Sequence, residues 1–558
     1  MRSVDDSTGR RLAWAFLAFL ALLRVLFAWH LPFDSDEAQH LHVVWAWTQG
    51  LLPYRDVFDN HAPLFQLLSA PLFAAIGEDA DIVRLMRLAV VPWYGLALWC
   101  TWRIGRAFYG RRAGAWALAL VALYPDFFVA SVQYRTDDAW GPVWLAMVMV
   151  AVEGRPTPRR AFGVGLLAGA AVAISLKSLV LILAVVVAAL LTLGLMRIAR
   201  RPLPWGTLTR TSGALLAGFV VLPGLFALGF ALAGAWDAMI YCTLTHNVVP
   251  GDARWALAGR SPWLFPLAVP ALAGVAFLLM RDPVRPERGA KRAFVFLAAM
   301  LYLALLLAYW PLTPRQDWLP FAPFAAIFLA AGVRRLALRH GSQVRAMAVL
   351  GVLLAVELGV LVAERRPWVD GTADARAGLA QVLRLTDADD DVMDAKGDSI
   401  YRRRPFYYVL ESVTLARMRL GWIPDTIVER LVATRTAVAQ TSKLSGETLA
   451  FVQRHYLPVS AHWRVVGARL PPATAGQAVE FALGVAARYA VEPHNGSGGV
   501  LDGVRYDGPR DLAAGRHVFV PDAPMQRGVV LWAQAVERGF GAMDEAVIAD
   551  GSTRVARP

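Results

Sequence analysis

Over its first two thirds the chain alternates long apolar runs with short polar breaks, and then it changes character. Apolar runs fall near 12–31, 82–105, 113–130, 138–152, 161–176, 178–196, 213–234, 262–280, 293–311, 318–333 and 346–363. Each approaches the roughly 20 residues that a helix needs to cross a bilayer, so the pattern predicts a polytopic α-helical membrane protein with about eleven transmembrane helices. From about 364 onward the apolar runs stop. "HVFVPD" (517–522) and "GVVLWAQAVE" (528–537) read as short strands punctuated by Gly, Pro and Asp, while 411–455 has helical spacing. The expectation is a membrane domain over 1–363, with a long first outer loop at 32–80, followed by a soluble α+β domain over 364–558.

Composition agrees with that division: 57% of residues are hydrophobic and 18% charged, with a mean hydropathy of +0.45. A net charge of +13 would suggest nucleic acid in a soluble protein. Here the arginines gather between apolar runs, where they act as orientation signals, and no nucleic-acid partner is expected. Alternating breaks carry Arg10 and Arg11, Arg111 and Arg112, Arg159 and Arg160, Arg200 and Arg201, Arg288 to Arg292, and Arg334 to Arg339. The positive-inside rule then makes the N-terminus cytoplasmic, and an odd number of spans carries the soluble domain to the outer, periplasmic side. The first run has no A-x-A-like site after it and is expected to be a retained helix. Arg- and Ala-rich usage points to a bacterial inner membrane, whose lipids are the first partner. Cys100 and Cys242 fall at different levels of this scheme, so no disulfide is expected.

The same topology collects distant polar residues on the outer side. They are Asp34, Asp36, Glu37, His40, Asp59 and His61 from the first loop, then Arg135, Asp137 and Asp138, Lys177, His246 and Asn247, and Arg315 with Asp317. Polar groups at a membrane edge are tolerated where they meet water, a partner or a substrate. Residues 36–48 predict a short interfacial helix with Trp45 and Trp47 at headgroup level, and 62–77 is too short and Pro-broken to span. At about 100° per residue Asp36 and His40 share a helix face, with Glu37 within the same arc. Simpler roles stand beside each of these. Asp34 or Ser35 can cap that helix, Asp137 and Asp138 can cap the next span, Lys177 can snorkel, Arg315 can flank a helix, and His40 and His61 can serve packing alone.

Asp36-Glu37 with His40, followed by "YRDVFDNHAPLFQLL" (54–68), resembles the first outer loop of the protein O-mannosyltransferase and aminoarabinose transferase superfamily. Asp59, His61, Pro63 and Leu64 match its D-x-H-x-P-L pattern, with Ala62 where mannosyltransferases have a first Pro and aminoarabinose transferases a Lys. "RTDDAW" (135–140) is similar to the later outer Asp, and "RQDWLPFAPFAAIFLAAG" (315–332) to the R-x-x-x-L-P-x-x-P segment. The resemblance covers roughly 10–335 and implies a GT-C fold and a polyprenyl-phosphate-linked sugar donor.

Attack of an acceptor hydroxyl on the anomeric carbon of such a donor needs a base for the hydroxyl and cations for the departing phosphate. Asp36 is the expected general base. Glu37 and His40 are expected to orient it or to help hold a divalent cation, with Mg, Mn and Zn all open. Arg135, Lys177 and Arg315 are the candidate phosphate contacts, and Asp59, His61, Asp137 and Asp138 complete the substrate-binding set. The acceptor is expected to be an outer-side glycan, lipid or protein, which the soluble domain would recognise or cover. A transporter or flippase of lipid-linked sugars is the alternative, disfavoured because the carboxylates lie in a loop and not mid-span. A metalloprotease is disfavoured because no H-E-x-x-H occurs.

Overall fold

The computed structural model describes residues 6–203, 205–249, 262–281, 286–309, 315–339, 341–493 and 498–544. All the apolar runs fall on helices. Before the first long hairpin come α1 (Asp6–His30), α2 (Ser35–Thr48), α3 (Leu64–Ile76) and α4 (Ile82–Met86). Next are α5 (Val91–Tyr109), α6 (Arg111–Leu123), α7 (Pro125–Ala130), α8 (Asp137–Val152), α9 (Pro158–Ile174) and α10 (Ser178–Ile198). The membrane region ends with α11 (Trp205–Leu232), α12 (Trp236–Ile240), α13 (Leu264–Met280), α14 (Pro286–Tyr309), α15 (Ala322–Arg339) and α16 (Gln343–Arg365).

Among the described residues six helical segments are long and apolar enough to cross a membrane: 10–30, 82–109, 178–198, 205–232, 287–309 and 343–365. The other apolar helices are shorter. Pro125 forbids helical geometry at Tyr124, whose ψ is 118°, and splits the run at 113–130 into α6 and α7. Pro71 lies inside α3, which has only 13 residues.

Helices α9 and α11 are in backbone contact. A Cβ added at Gly165 would stand 1.9 Å from the Leu215 carbonyl oxygen, and one at Gly218 would stand 2.1 Å from that of Phe162. Without a hydrophobic drive between helices in lipid, this close approach of small residues is what packing relies on.

Helix α16 ends where Arg366 turns left-handed, with φ 40°, and the sheets begin after it. The strands are β1 (Val392–Met393), β2 (Val438–Ala439), β3 (Tyr456–Pro458), β4 (Arg464–Leu470), β5 (Val479–Leu483) and β6 (Ala487–Pro493). They continue with β7 (Gly499–Leu501), β8 (Val504–Arg505), β9 (Arg510–Leu512), β10 (Gly515–Pro521) and β11 (Gly528–Trp532). One sheet runs β1-β2-β4-β11-β6-β9 with β3 beside β4, and a second runs β5-β10-β7-β8. The expected strand at 528–537 stops at Trp532, because Ala533–Glu537 turns helical. The helical spacing at 411–455 resolves into three short helices interrupted by β2. Cys100 and Cys242 are free and buried.

The soluble domain wraps the first loop. His42 Nδ1 hydrogen-bonds to the Ile400 carbonyl at 2.9 Å, and Tyr407 donates to the Tyr54 carbonyl. Gly397, at φ +85°, lies so close that an added Cβ would meet His42 Cβ at 2.8 Å. Trp45 is therefore buried and stacked on His42, ring centroids 5.1 Å apart. The interfacial float expected of α2 becomes a helix enclosed by protein on the side where the soluble domain sits.

Candidate active site

Helix α2 begins with a capping box. Asp34 accepts from the Asp36 amide at 2.9 Å and Glu37 Oε2 accepts from the Asp34 amide at 2.9 Å, which satisfies helix-end donors on both sides. The two neighbouring carboxylates then diverge. Glu37 is fully buried and gripped by Arg87 through two parallel bonds, Nε to Oε1 at 2.8 Å and Nη2 to Oε2 at 2.7 Å. The Tyr134 amide donates to the same Oε1 at 2.7 Å. Arg87 in turn donates to the carbonyls of Ala28, Leu31 and Pro32 at the end of α1. Glu37 is thus the centre of a staple joining α1, α2 and the segment before α8. With both oxygens saturated it has no lone pair for a proton or a metal, which departs from the catalytic role expected of it.

Asp36 points the other way and keeps about a quarter of its side chain exposed. Arg135 Nη2 lies 2.5 Å from its Oδ2, and Lys396 from the soluble domain pairs with its Oδ1. Burial alone would raise its pKa, but Arg135 and Lys396 pull it well below the usual carboxylate range. Arg135 also donates to Asp34 at 2.7 Å and lies 3.4 Å from Asp137. Lys177 bridges Asp137 at 3.2 Å and Asp317 at 2.9 Å. Burial opposes its charge, yet those two carboxylates hold its pKa above the ordinary lysine value. Asp36, Arg135, Asp137, Lys177 and Asp317 so form one chain of alternating charge across four sequence-distant segments. Asp138 turns from it to accept from the Arg135 amide at 3.4 Å.

A second cluster lies behind Asp36. Asp59 is buried and accepts from the His61 amide and faces its ring, both at 3.0 Å, and from Gln66 at 3.3 Å. Gln66 reaches His40 Nδ1 at 3.3 Å, and the His40 and His61 rings meet edge to face at 4.5 Å. Burial and then His61 lower the His40 pKa well below the ordinary value. A neutral imidazole fits this place. Of the sequence-predicted residues, Arg315 opens a short turn (Arg315–Trp318), and its side chain lies outside the described residues. The others fall into these two groups, apart from the stapled Glu37, from Asp138, and from His246 and Asn247, which bond to Glu411 and Asn60.

Whether the site fits a divalent cation is decided by its charge balance. Asp36 is matched by Arg135 and Lys396, and Asp137 by Lys177. Among the described residues no three His, Cys, Asp or Glu side chains are grouped to hold a metal ion. Arg135, Lys177 and Lys396 already pair with Asp34, Asp36, Asp137 and Asp317, so a divalent cation would have to displace one of them.

The family model described as dolichyl-phosphate-mannose-protein mannosyltransferase matches residues 60–226. The fold is similar to the crystal structure of ArnT from Cupriavidus metallidurans bound to undecaprenyl phosphate, with a TM-score of 0.55 at 13% identity. That match covers 82% of this chain and 97% of the other. The apo state of the same protein gives a TM-score of 0.57 at 14% identity, covering 82% and 98%. Over most of both chains, this protein and ArnT share one fold. The Archaeoglobus fulgidus oligosaccharyltransferase complexed with zinc and sulfate matches at a TM-score of 0.44 and 12% identity, over 79% of this chain and 71% of that one. No curated protein sequence matches.

The sequence reading missed Lys396, 360 residues from its partner Asp36. A signal was present. Among 56 Lys and Arg residues only four are lysines, Lys177, Lys291, Lys396 and Lys443. Lys177 and Lys396 pair with Asp137 and Asp36, and Lys443 feels the charges of Lys396 and Asp36. In an arginine-dominated chain, a retained lysine marks a place that needs a compact, movable point charge.

Proposed function

We propose that this chain is a membrane glycosyltransferase that moves a sugar from a polyprenyl-phosphate donor to an extracytoplasmic glycan, lipid or protein, with Asp36 as general base. The observation that carries the reading is the position of Asp36 between two cations, Arg135 of the membrane region and Lys396 of the soluble domain. Beside it, a polar cavity of about 240 Å³ is lined by Asp34, Arg135, Asp137, Gln316 and Arg365. Asp126 lines both this cavity and an apolar groove of about 600 Å³ walled by Tyr124, Phe321, Ala325 and Leu329. A phosphate-headed lipid suits that sequence of surfaces, with its chain in the groove and its head among the cations. The bound undecaprenyl phosphate of the similar ArnT structure is in keeping with it.

The chemistry follows from charge exchange. While Arg135 and Lys396 hold Asp36, its carboxylate is a weak base. An arriving donor phosphate competes for both cations, and Asp36 becomes more basic as they turn toward the phosphate. The acceptor hydroxyl then gives its proton to Asp36 as its oxygen bonds to the anomeric carbon. The bond from that carbon to the phosphate oxygen breaks, and the lipid phosphate leaves with its charge held by Arg135 and Lys177. No step needs a metal. By the positive-inside rule the arginine-rich ends face the cytoplasm, so the site and the soluble domain lie outside a bacterial inner membrane. Residues 1–363 would form the transferase body and 364–558 a domain completing the site.

The test is transfer of label from radiolabelled polyprenyl-phosphate sugars to envelope extracts by the purified full chain. Asp36→Asn is expected to lower the rate by roughly 10²- to 10⁴-fold with unchanged thermal unfolding. Wild-type rates in that variant would remove Asp36 as the base. Translocation of the lipid-linked sugar across vesicles, with no transfer from any donor, would replace the enzyme by a transporter.

A further inference from the structure

At the far ends of the helices from Asp36 lies a larger cavity, of about 1010 Å³, between the C-terminal end of α5 and helices α13, α14 and α15. Five arginines line it, Arg288, Arg292, Arg334, Arg335 and Arg339, and no acidic side chain is among its lining in the described residues. Helix α14 enters the bundle from this end and α15 returns to it, which sets their side chains in register. On α14, Arg288, Arg292, Phe296 and Met300 recur every fourth residue and so share one face. On α15, Phe328, Gly332, Arg335 and Arg339 follow at steps of four, three and four and so also share one face, in the opposite direction. The arginines of both helices therefore meet at one level and the apolar residues at a deeper one, with the Phe296 and Phe328 rings 6.0 Å apart.

Some of these cations have a structural duty. Arg288 and Arg292 donate to the Phe108 carbonyl at 2.6 and 3.1 Å, and Arg334 donates to that of Tyr109 at 3.3 Å. They cap the end of α5, whose last carbonyls lack helical donors. Arg335 and Arg339 stand exposed on the opposite wall. A cleft with five arginines at the headgroup level, two of them exposed, and an apolar floor is complementary to an anion that carries acyl chains.

We propose that this cavity is a binding site for an anionic glycerophospholipid, its phosphodiester between Arg335, Arg339 and the α14 arginines and an acyl chain along Phe296 and Phe328. This site shares no lining residue with the donor groove, although Phe328 and Leu329 are neighbours on α15, and its arginines lie at the end of α5 away from Arg87 and Glu37. The proposal does not depend on the reaction at Asp36. Bound lipid would tie α14 and α15 to the end of α5 and hold the helices that frame the donor groove.

The experiment uses the purified full chain in a neutral detergent, titrated separately with phosphatidylglycerol, phosphatidylethanolamine and undecaprenyl phosphate, with bound lipid counted by native mass spectrometry. Phosphatidylglycerol should be retained well above phosphatidylethanolamine. Each arginine near an anionic headgroup is worth about a factor of five, so Arg335→Gln/Arg339→Gln should weaken retention roughly 25-fold. Undecaprenyl phosphate binding should be unaffected by the pair. Equal retention by wild type and variant, equal binding of the neutral lipid, or loss of undecaprenyl phosphate in place of phosphatidylglycerol would each overturn the proposal. Arg335→Lys/Arg339→Lys, which keeps the charge, should restore most of the binding and guards against a folding defect.

Discussion

At the scale of single residues, Asp36 and Glu37 are neighbours with opposite fates. The helix turns them about 100° apart, which sends Glu37 into Arg87 and Asp36 toward Arg135 and Lys396. Removing the charge of Glu37 leaves a guanidinium buried without its anion, a loss of about 3–5 kcal/mol in comparable pairs. Glu37→Gln should therefore lower the thermal unfolding temperature strongly and reduce the folded yield. Asp36→Asn, at a partly exposed position, should leave unfolding nearly unchanged while activity falls. If Glu37→Gln unfolds like wild type and loses only turnover, the staple is the wrong description and a catalytic Glu37 returns. The cap at Asp34 was legible as one of two candidates, since a cap is a local feature. The grip of Arg87 on Glu37 was not, because nothing local marks which arginine of an arginine-rich chain turns inward.

At the scale of elements, helices were readable wherever hydropathy and local stereochemistry decide. Pro125 broke a helix where proline geometry requires, while α3 runs on through Pro71. What the pattern could not show was how closely two helices approach, because small residues carry no hydropathy signal of their own. Gly165 and Gly218 bring the α9 and α11 backbones together. Gly165→Leu should force them apart at a cost of about 1–3 kcal/mol or more, read as a drop in unfolding temperature. Gly163, on the same helix, has open space around its added Cβ, and Gly163→Ala should be neutral or slightly stabilising. Equal responses at both positions would mean that α9 and α11 are not in backbone contact. Helix α2 shows the same limit from the other side. Its amphipathic reading placed Trp45 at the lipid surface, whereas Trp45 is buried and stacks on His42, which a loop some 350 residues later covers, and such long-range covering leaves no trace in a window of 14 residues.

At the scale of the whole molecule, the site exists only because the two parts of the chain meet. Asp394 is buried and organises the loop that delivers Lys396, accepting from the Gly397 and Ser399 amides at 2.6 and 2.8 Å and from Arg404 at 2.9 Å. Asp398, pushed by burial and by Asp394 up to about 6, belongs to the same loop. The membrane half of the site was visible in order along the sequence, since its residues recur in a known arrangement. The soluble half was hidden, because a single lysine in a globular domain has no motif. Its contribution can be measured through the acid limb of the pH dependence of kcat/KM. A general base works only when deprotonated, so activity falls as pH drops through its pKa. Lys396 stabilises the ionised form of Asp36, and its removal must raise that pKa. Lys396→Ala should thus move the acid limb to higher pH, and Lys396→Arg should move it back. Removing Lys396 also takes away one phosphate contact, so KM for the donor should rise in Lys396→Ala independently of pH. A rise in KM with an unmoved acid limb would separate the two roles, leaving Lys396 as a phosphate contact and assigning control of Asp36 to Arg135 alone.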